Sequence, residues 1–205
     1  GNLDAGENNM NWGCINSTTF SNLVMTSQNF TTFVIEQIGA ASLSSTRTLY
    51  NSHGNTSASS GIANELTISK TAGEEYTALL TQQLASGSPE LIATGAYANT
   101  NLRCIMTVGD TTGSIYINGT QVDTEVFNTN FVYDYSTTGT SGTPPNASVS
   151  IGVSLPSMNL EASNFGSNNY YGKIYEVLTF AKTLDADEIS LMETYLSEKY
   201  DLTFS

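Results

Sequence analysis

Short runs of alternating or wholly apolar residues, separated by clusters of Gly, Ser, Thr and Asn, recur along almost the whole chain. Period-two alternation bounded by turn formers marks half-buried strands. The pattern predicts strands at 30–38, 46–50, 65–70, 76–82, 91–93, 102–108, 114–117, 131–135, 148–153 and 173–180. Their β-branched and aromatic side chains suit a pleated surface. The fold class expected is all-β, a two-sheet antiparallel β-sandwich over residues 1–205 as a single domain, since sandwiches of about 200 residues commonly form one unit. The polar intervals 51–61, 136–146 and 154–169 are long for a sandwich, and loops of such length usually bind something or lack structure of their own.

The period changes near the C-terminus. Ile189, Met192, Tyr195, Leu196 and Tyr200 recur at helical spacing, which gives one apolar stripe. Asp185 stands at the N-cap position with Glu188 three residues on, an acidic capping box that satisfies two orphan N–H groups. This helix is expected to pack on the sandwich and tie down the C-terminus. In the strand before it, strict alternation sends Ile174, Glu176, Leu178 and Phe180 to one face and Tyr175 and Val177 to the other. Glu176 on an apolar face needs a partner if buried, and Arg103 or Arg47 could serve.

Charge narrows the partners. Six Lys and Arg face nineteen Asp and Glu, a net charge of -13, and no basic cluster occurs. Neutralising a phosphate backbone takes many cations, so nucleic acid is a poor partner, and anionic membrane surfaces are disfavoured for the same reason. No apolar run approaches the roughly twenty residues of a membrane span. Charged residues are only 12% of the chain, about half the usual share, and Ser, Thr and Asn replace them. Such a surface suits an extracellular, cell-surface or virion-borne protein. The start at Gly1 without Met is what a domain excised from a longer protein would show. Cys14 and Cys104 could form one disulfide or serve separately as small buried hydrophobes.

Several chemistries lack their residues. The single histidine, His53, lies in a Ser-, Asn- and Gly-rich stretch and reads as a solvated loop residue. The sequence has no Gly-x-Ser-x-Gly elbow, no closely spaced His or Cys pair for zinc and no Gly-rich phosphate loop. Glycoside hydrolysis needs only two carboxylates, but the nearest approach, Asp123-Thr124-Glu125, supplies two acids at period two after a turn.

Ser114-Ile115-Tyr116-Ile117-Asn118-Gly119-Thr120 reads as strand, tight turn and strand, because Asn-Gly tolerates the positive φ that both turn positions require. Tyr171-Gly172-Lys173-Ile174-Tyr175-Glu176-Val177 then runs into Leu184-Asp185-Ala186-Asp187-Glu188 and the helix. Together these segments resemble the laminin G-like, concanavalin A-like jelly-roll domains, in their bacterial and phage branch, and Phe30 to Ile35 resembles an early core strand of that sandwich. The resemblance implies a fold used mostly to bind sugars and surfaces, in many members with calcium. Glucanases of this fold carry a Glu-x-Asp-x-x-Glu run on one strand, which this chain lacks.

The function expected is therefore a non-catalytic carbohydrate-binding or adhesion module of a surface or phage attachment protein, with a structural fibre domain contacting protein partners as the alternative. Sugars stack on aromatic faces while Asn, Asp and backbone groups meet their hydroxyls. The candidate ligand-binding residues are Tyr97 with Asn99, Tyr133-Asp134-Tyr135, Asn164-Phe165 and Asn168-Asn169-Tyr170. The competing reading for each tyrosine is core packing, since its ring buries well. Ca2+ is the candidate cofactor, because hard cations take carboxylate and carbonyl oxygens. Asp110 and Asp134 are its candidate ligands, with Asp4 and Glu7 as further acids in turns.

Overall fold

A computed structural model describes residues 14–16, 29–39, 47–53, 65–70, 75–81, 90–93, 100–126, 148–151, 170 and 172–205. Its elements are β1 Cys14–Asn16, β2 Phe30–Ile38, β3 Arg47–His53, β4 Glu65–Lys70, β5 Tyr76–Thr81, β6 Glu90–Ala93, β7 Leu102–Gly109, β8 Thr112–Ile117, β9 Thr120–Val126, β10 Ser148–Ile151, β11 Gly172–Phe180 and α1 Ala186–Tyr200. The strands form a six-stranded sheet, β1-β10-β3-β4-β5-β6, and a five-stranded sheet, β11-β2-β7-β8-β9. Every described pairing is antiparallel. The strand expected at 131–135 lies outside the described residues. β3 runs on through His53, which pairs with Glu65 and Ser148. His53 is thus a strand residue and not a loop one.

The core has two layers. Between the sheets lie Phe30, Val34 and Ile38 of β2, Leu49 and Tyr50 of β3, Ile68, Tyr76, Ala78, and Ile105 of β7. On the other side of the five-stranded sheet, Phe33, Ile35, Cys104 and Met106 pack against Leu184, Leu196 and Leu202 of the C-terminal segment. β2 and β7 are therefore covered on both faces, which is why apolar residues stand at successive positions in them, Phe33-Val34-Ile35 and Cys104-Ile105-Met106, instead of alternating. Each such side chain contributes about 1.5–3 kcal/mol by leaving water. Cys104 is a free buried thiol, so for this residue the buried-hydrophobe reading holds. Burial pushes its pKa well up.

Local chemistry fixes the helix and hairpin. The Asp185 carboxylate accepts from the Glu188 amide at 2.9 Å, and the Glu188 carboxylate accepts from the Asp185 amide at 3.1 Å, closing the expected capping box. Asn118 (φ 49°) and Gly119 (φ 86°) make the β8–β9 turn. Asn118 Oδ1 accepts from the Cys104 amide at 2.8 Å. The Ser205 amide donates to the Asn118 carbonyl at 3.2 Å, so the C-terminus is pinned to the hairpin as expected.

β11 departs from strict alternation. Its register against β2 shifts between Ile174 and Glu176, a one-residue bulge that re-aims the side chains around it. Ile174 and Val177 both join the inter-sheet core, while Leu178 and Phe180 pack under the helix. Tyr175 and Glu176 both reach the outer side, where Glu176 pairs with Lys199 at 3.1 Å. The expected partner for Glu176, Arg103 or Arg47, is thus corrected to Lys199.

Candidate functional site

The only strongly polar cluster inside the described sandwich is built around Glu36. It sits mid-strand on the inter-sheet face of β2, fully buried, directly opposite Arg103 of β7. Arg103 Nη1 lies 3.7 Å from Glu36 Oε1 and donates to the Tyr76 hydroxyl at 3.2 Å. Tyr76, from the facing sheet, donates its hydroxyl to Glu36 Oε1, and Tyr170 donates to Oε2. Desolvation raises the Glu36 pKa above the ordinary carboxylate range, opposed by the hydrogen bonds from Tyr170 and Tyr76 and by the Arg103 charge. Both tyrosine hydroxyls are pushed up by burial and by the neighbouring carboxylate. One carboxylate whose oxygens are both taken by core tyrosines is a tie between sheets. Glycoside hydrolysis would need a second carboxyl across a cleft.

Tyr170 is a correction to the expected site. Its ring is 4% exposed and its hydroxyl is committed to Glu36, so it offers no face for a sugar. The Asn-rich neighbourhood suggests a loop tyrosine, whereas the ring serves as the anchor that leads the chain into β11. Tyr97, Asn99, Tyr133, Asp134, Tyr135, Asn164, Phe165, Asn168 and Asn169 lie outside the described residues. Asp110 occupies the exposed β7–β8 turn, where its amide donates to the Thr112 carbonyl at 2.9 Å. Among the described residues no group of three or more His, Cys, Asp or Glu is placed to hold a metal ion.

The six-stranded sheet arranges its residues in rows across the strands. Ile151, Tyr50, Ile68, Ala78 and Leu91 share one row, and Tyr50, Ile68 and Ala78 of that row are core. The neighbouring register row holds Cys14, Ser150, Asn51, Thr67, Leu79 and Glu90. Two positions along, Asn16, Ser148, His53, Glu65 and Thr81 share another register row. Between these two rows lies the register row of Ile15, Val149, Ser52, Leu66 and Leu80. The helix packs on the other sheet.

No family model matches the sequence, and no curated protein matches it. Solved structures do resemble it. The CBM40 module of the Ruminococcus gnavus IT-sialidase superposes with a TM-score of 0.61 at 14% identity, over 85% of both chains. That module has also been solved with α2,3-sialyllactose bound. Domains LG4-5 of the mouse laminin α1 chain superpose with a TM-score of 0.53 at 13% identity, over 80% of this chain and 40% of that one. The fold is a laminin G-like, concanavalin A-like jelly roll. A chain solved in work on botulinum neurotoxin type C, whose cell entry depends on two ganglioside molecules, superposes with a TM-score of 0.59 at 14% identity, over 95% of this chain and 42% of that one.

Within this jelly roll, the backbone register places Asn16, Ser148, His53 and Glu65 in one row, on strands that include β1 and β10, far apart in sequence. Sequence reasoning passed over them because each is merely the polar member of an alternating strand. Only the register shows that Asn16, His53 and Glu65 share a row. The expected acid pair falls on edge strand β9, with Asp123 opposite Ile115 and Glu125 opposite Gly113. There Asp123 accepts a hydrogen bond from the Thr124 amide at 2.8 Å.

Proposed function

We propose that this jelly roll is a non-catalytic glycan-binding module acting outside the cell, at a cell or virion surface. Its oligosaccharide lies across the outer face of the six-stranded sheet and reaches the loops at the strand ends. The observation that carries this reading is the likeness of the fold to a carbohydrate-binding module, on a sheet whose register lines up polar sequence positions across the strands. Neighbouring strands stand about 4.8 Å apart and like-facing positions about 6.8 Å apart along a strand, a backbone spacing on the scale of a sugar ring. The sialyllactose held by the CBM40 module and the gangliosides required by the neurotoxin support a saccharide as the occupant. Among the described residues no helix is long and apolar enough to cross a membrane.

The loop residues Tyr97, Asn99, Tyr133, Asp134, Tyr135, Asn164, Phe165, Asn168 and Asn169 are proposed to complete the site, and Asp110 and Asp134 to supply oxygens to calcium if it takes part. The test is a set of single substitutions, Asn51→Ala, His53→Ala and Glu65→Gln, assayed on immobilised glycans bound by the wild type. At least one should weaken binding about tenfold or more while thermal unfolding stays unchanged. Unaltered binding by all three would remove the sheet face from the site.

A further inference from the structure

We propose a second, separate carbohydrate contact on the outer edge of the five-stranded sheet, formed by Lys173, Tyr175 and Gln37 and suited to a pyranose that carries a carboxylate. It rests on the glycan-binding reading but uses none of the residues placed in that site.

The bulge in β11 creates the platform. Strict alternation back from Val177, a core residue, would send Tyr175 inward. The register shift between Ile174 and Glu176 turns it out instead, leaving the side chain 39% exposed. Bulges commonly re-aim a side chain in this way.

The exposed ring is held at two points. Its hydroxyl donates to Gln37 Oε1 at 2.9 Å, and Gln37 Nε2 donates to the Thr100 carbonyl at 3.0 Å. Its edge meets Tyr200 at a centroid separation of 5.9 Å and an interplanar angle of 60°. A ring fixed before binding loses little conformational freedom on binding, which is why rigid exposed tyrosines make good contact surfaces.

The charge beside it is unusual for this chain. Lys173 is the register partner of Gln37 and precedes the core residue Ile174, so it shares the outer face with Gln37 and Tyr175. The other lysines of this region are already engaged, Lys182 with Glu188 and Lys199 with Glu176, and Arg103 is buried against Glu36. Lys173 is half-exposed and has no ion-pair or hydrogen-bond partner among the described residues. In a molecule of net charge -13, an uncommitted ammonium next to a fixed aromatic ring selects for an anion with an apolar face. An acidic pyranose meets that demand: its C–H face covers the ring, its carboxylate pairs with Lys173, and its hydroxyls reach the Gln37 amide and the tyrosine oxygen. Sialic acids and hexuronic acids share this chemistry.

The test titrates the whole 205-residue protein with α2,3-sialyllactose, with a hexuronate oligosaccharide and with lactose, before and after Lys173→Gln and Tyr175→Phe or Tyr175→Ala. Thermal unfolding serves as the control for folding. One acidic ligand should bind at least about tenfold more tightly than lactose. K173Q should abolish that preference without changing lactose binding, and Y175A should weaken acidic and neutral sugars alike. Y175F, which keeps the ring but loses its hydrogen bond to Gln37, should weaken binding less than Y175A. Which acid is preferred identifies the source of the carboxylate. Glycan binding with no preference for an acidic sugar, or a preference that survives K173Q and Y175A, overturns this site and leaves the sheet-face site standing. No binding to any of the three sugars or to a broad glycan array overturns both.

Discussion

Replacing Arg103 by Met should be among the most damaging single changes to this jelly roll. The residue is 4% exposed and Glu36 is fully buried, so the substitution leaves a desolvated carboxylate with two phenols and no positive charge. Removing one partner of a buried ion pair costs about 3–5 kcal/mol. At about 2–4 °C per kcal/mol for a chain of this size, the melting temperature should fall by roughly 6–20 °C. Adding Glu36→Gln to Arg103→Met should recover most of the loss, since removing both charges together is often close to neutral. Thermal and urea unfolding at pH 7, followed by circular dichroism, compare the two variants with the wild type.

The pH dependence supplies a second check. Glu36 has its folded pKa raised above the ordinary 4.5, so the folded state holds the proton longer than the unfolded state. The stability tied to that proton is fully present below about 4.5 and is lost as the pH rises through the folded value. Loss of the Arg103 charge raises the folded value further. The deficit of R103M should therefore shrink on acidification from pH 7 towards 4.5, and the double variant should show no such trend. An R103M deficit below about 1 kcal/mol, or one independent of pH, would refute the assignment of Glu36 and Arg103 as a coupled buried pair.

Asp185→Ala removes the acceptor of the capping box and should cost about 0.5–2 kcal/mol in urea unfolding, with Asp185→Asn much milder. Gly119→Ala places a Cβ 3.0 Å from the Ser205 amide at a φ of +86°; it should cost more than about 1 kcal/mol and increase amide exchange in the C-terminal residues. In a Cys14→Ser background, Cys104 should resist thiol reagents until the protein unfolds, because a buried thiol yields little thiolate; rapid labelling under native conditions would contradict its place beneath the helix.

Much of this fold is legible in the sequence because its signals are local. β2 and β4 run over the expected residues, each being an apolar or alternating run bounded by polar turn formers. The capping box at Asp185 and the turn at Asn118-Gly119 are short-range chemistry, and both form as expected. What escaped depends on register. Arg103 offers itself to Glu176 or to Glu36 until strand pairing puts it opposite Glu36, although a lone acid within Phe30-Thr-Thr-Phe-Val-Ile-Glu signals a buried partner. The Tyr175 bulge inserts one residue into an alternating strand, and no composition rule locates such an insertion. Tyr170 misleads because the Asn residues before it suggest a loop while its ring is buried. The register row that joins Asn16, Ser148, His53 and Glu65 draws on strands as far apart in the chain as β1 and β10, so it exists only once the sheet is assembled.

The central claim, that this jelly roll binds glycans, is tested most directly by screening the purified domain on a broad glycan array, with calcium and again with EDTA. The account predicts a reproducible family of saccharide hits that includes sialylated or uronate-bearing members. Loss of those hits in EDTA would place calcium in the site. A blank array under both conditions, from protein shown to be folded, would contradict it.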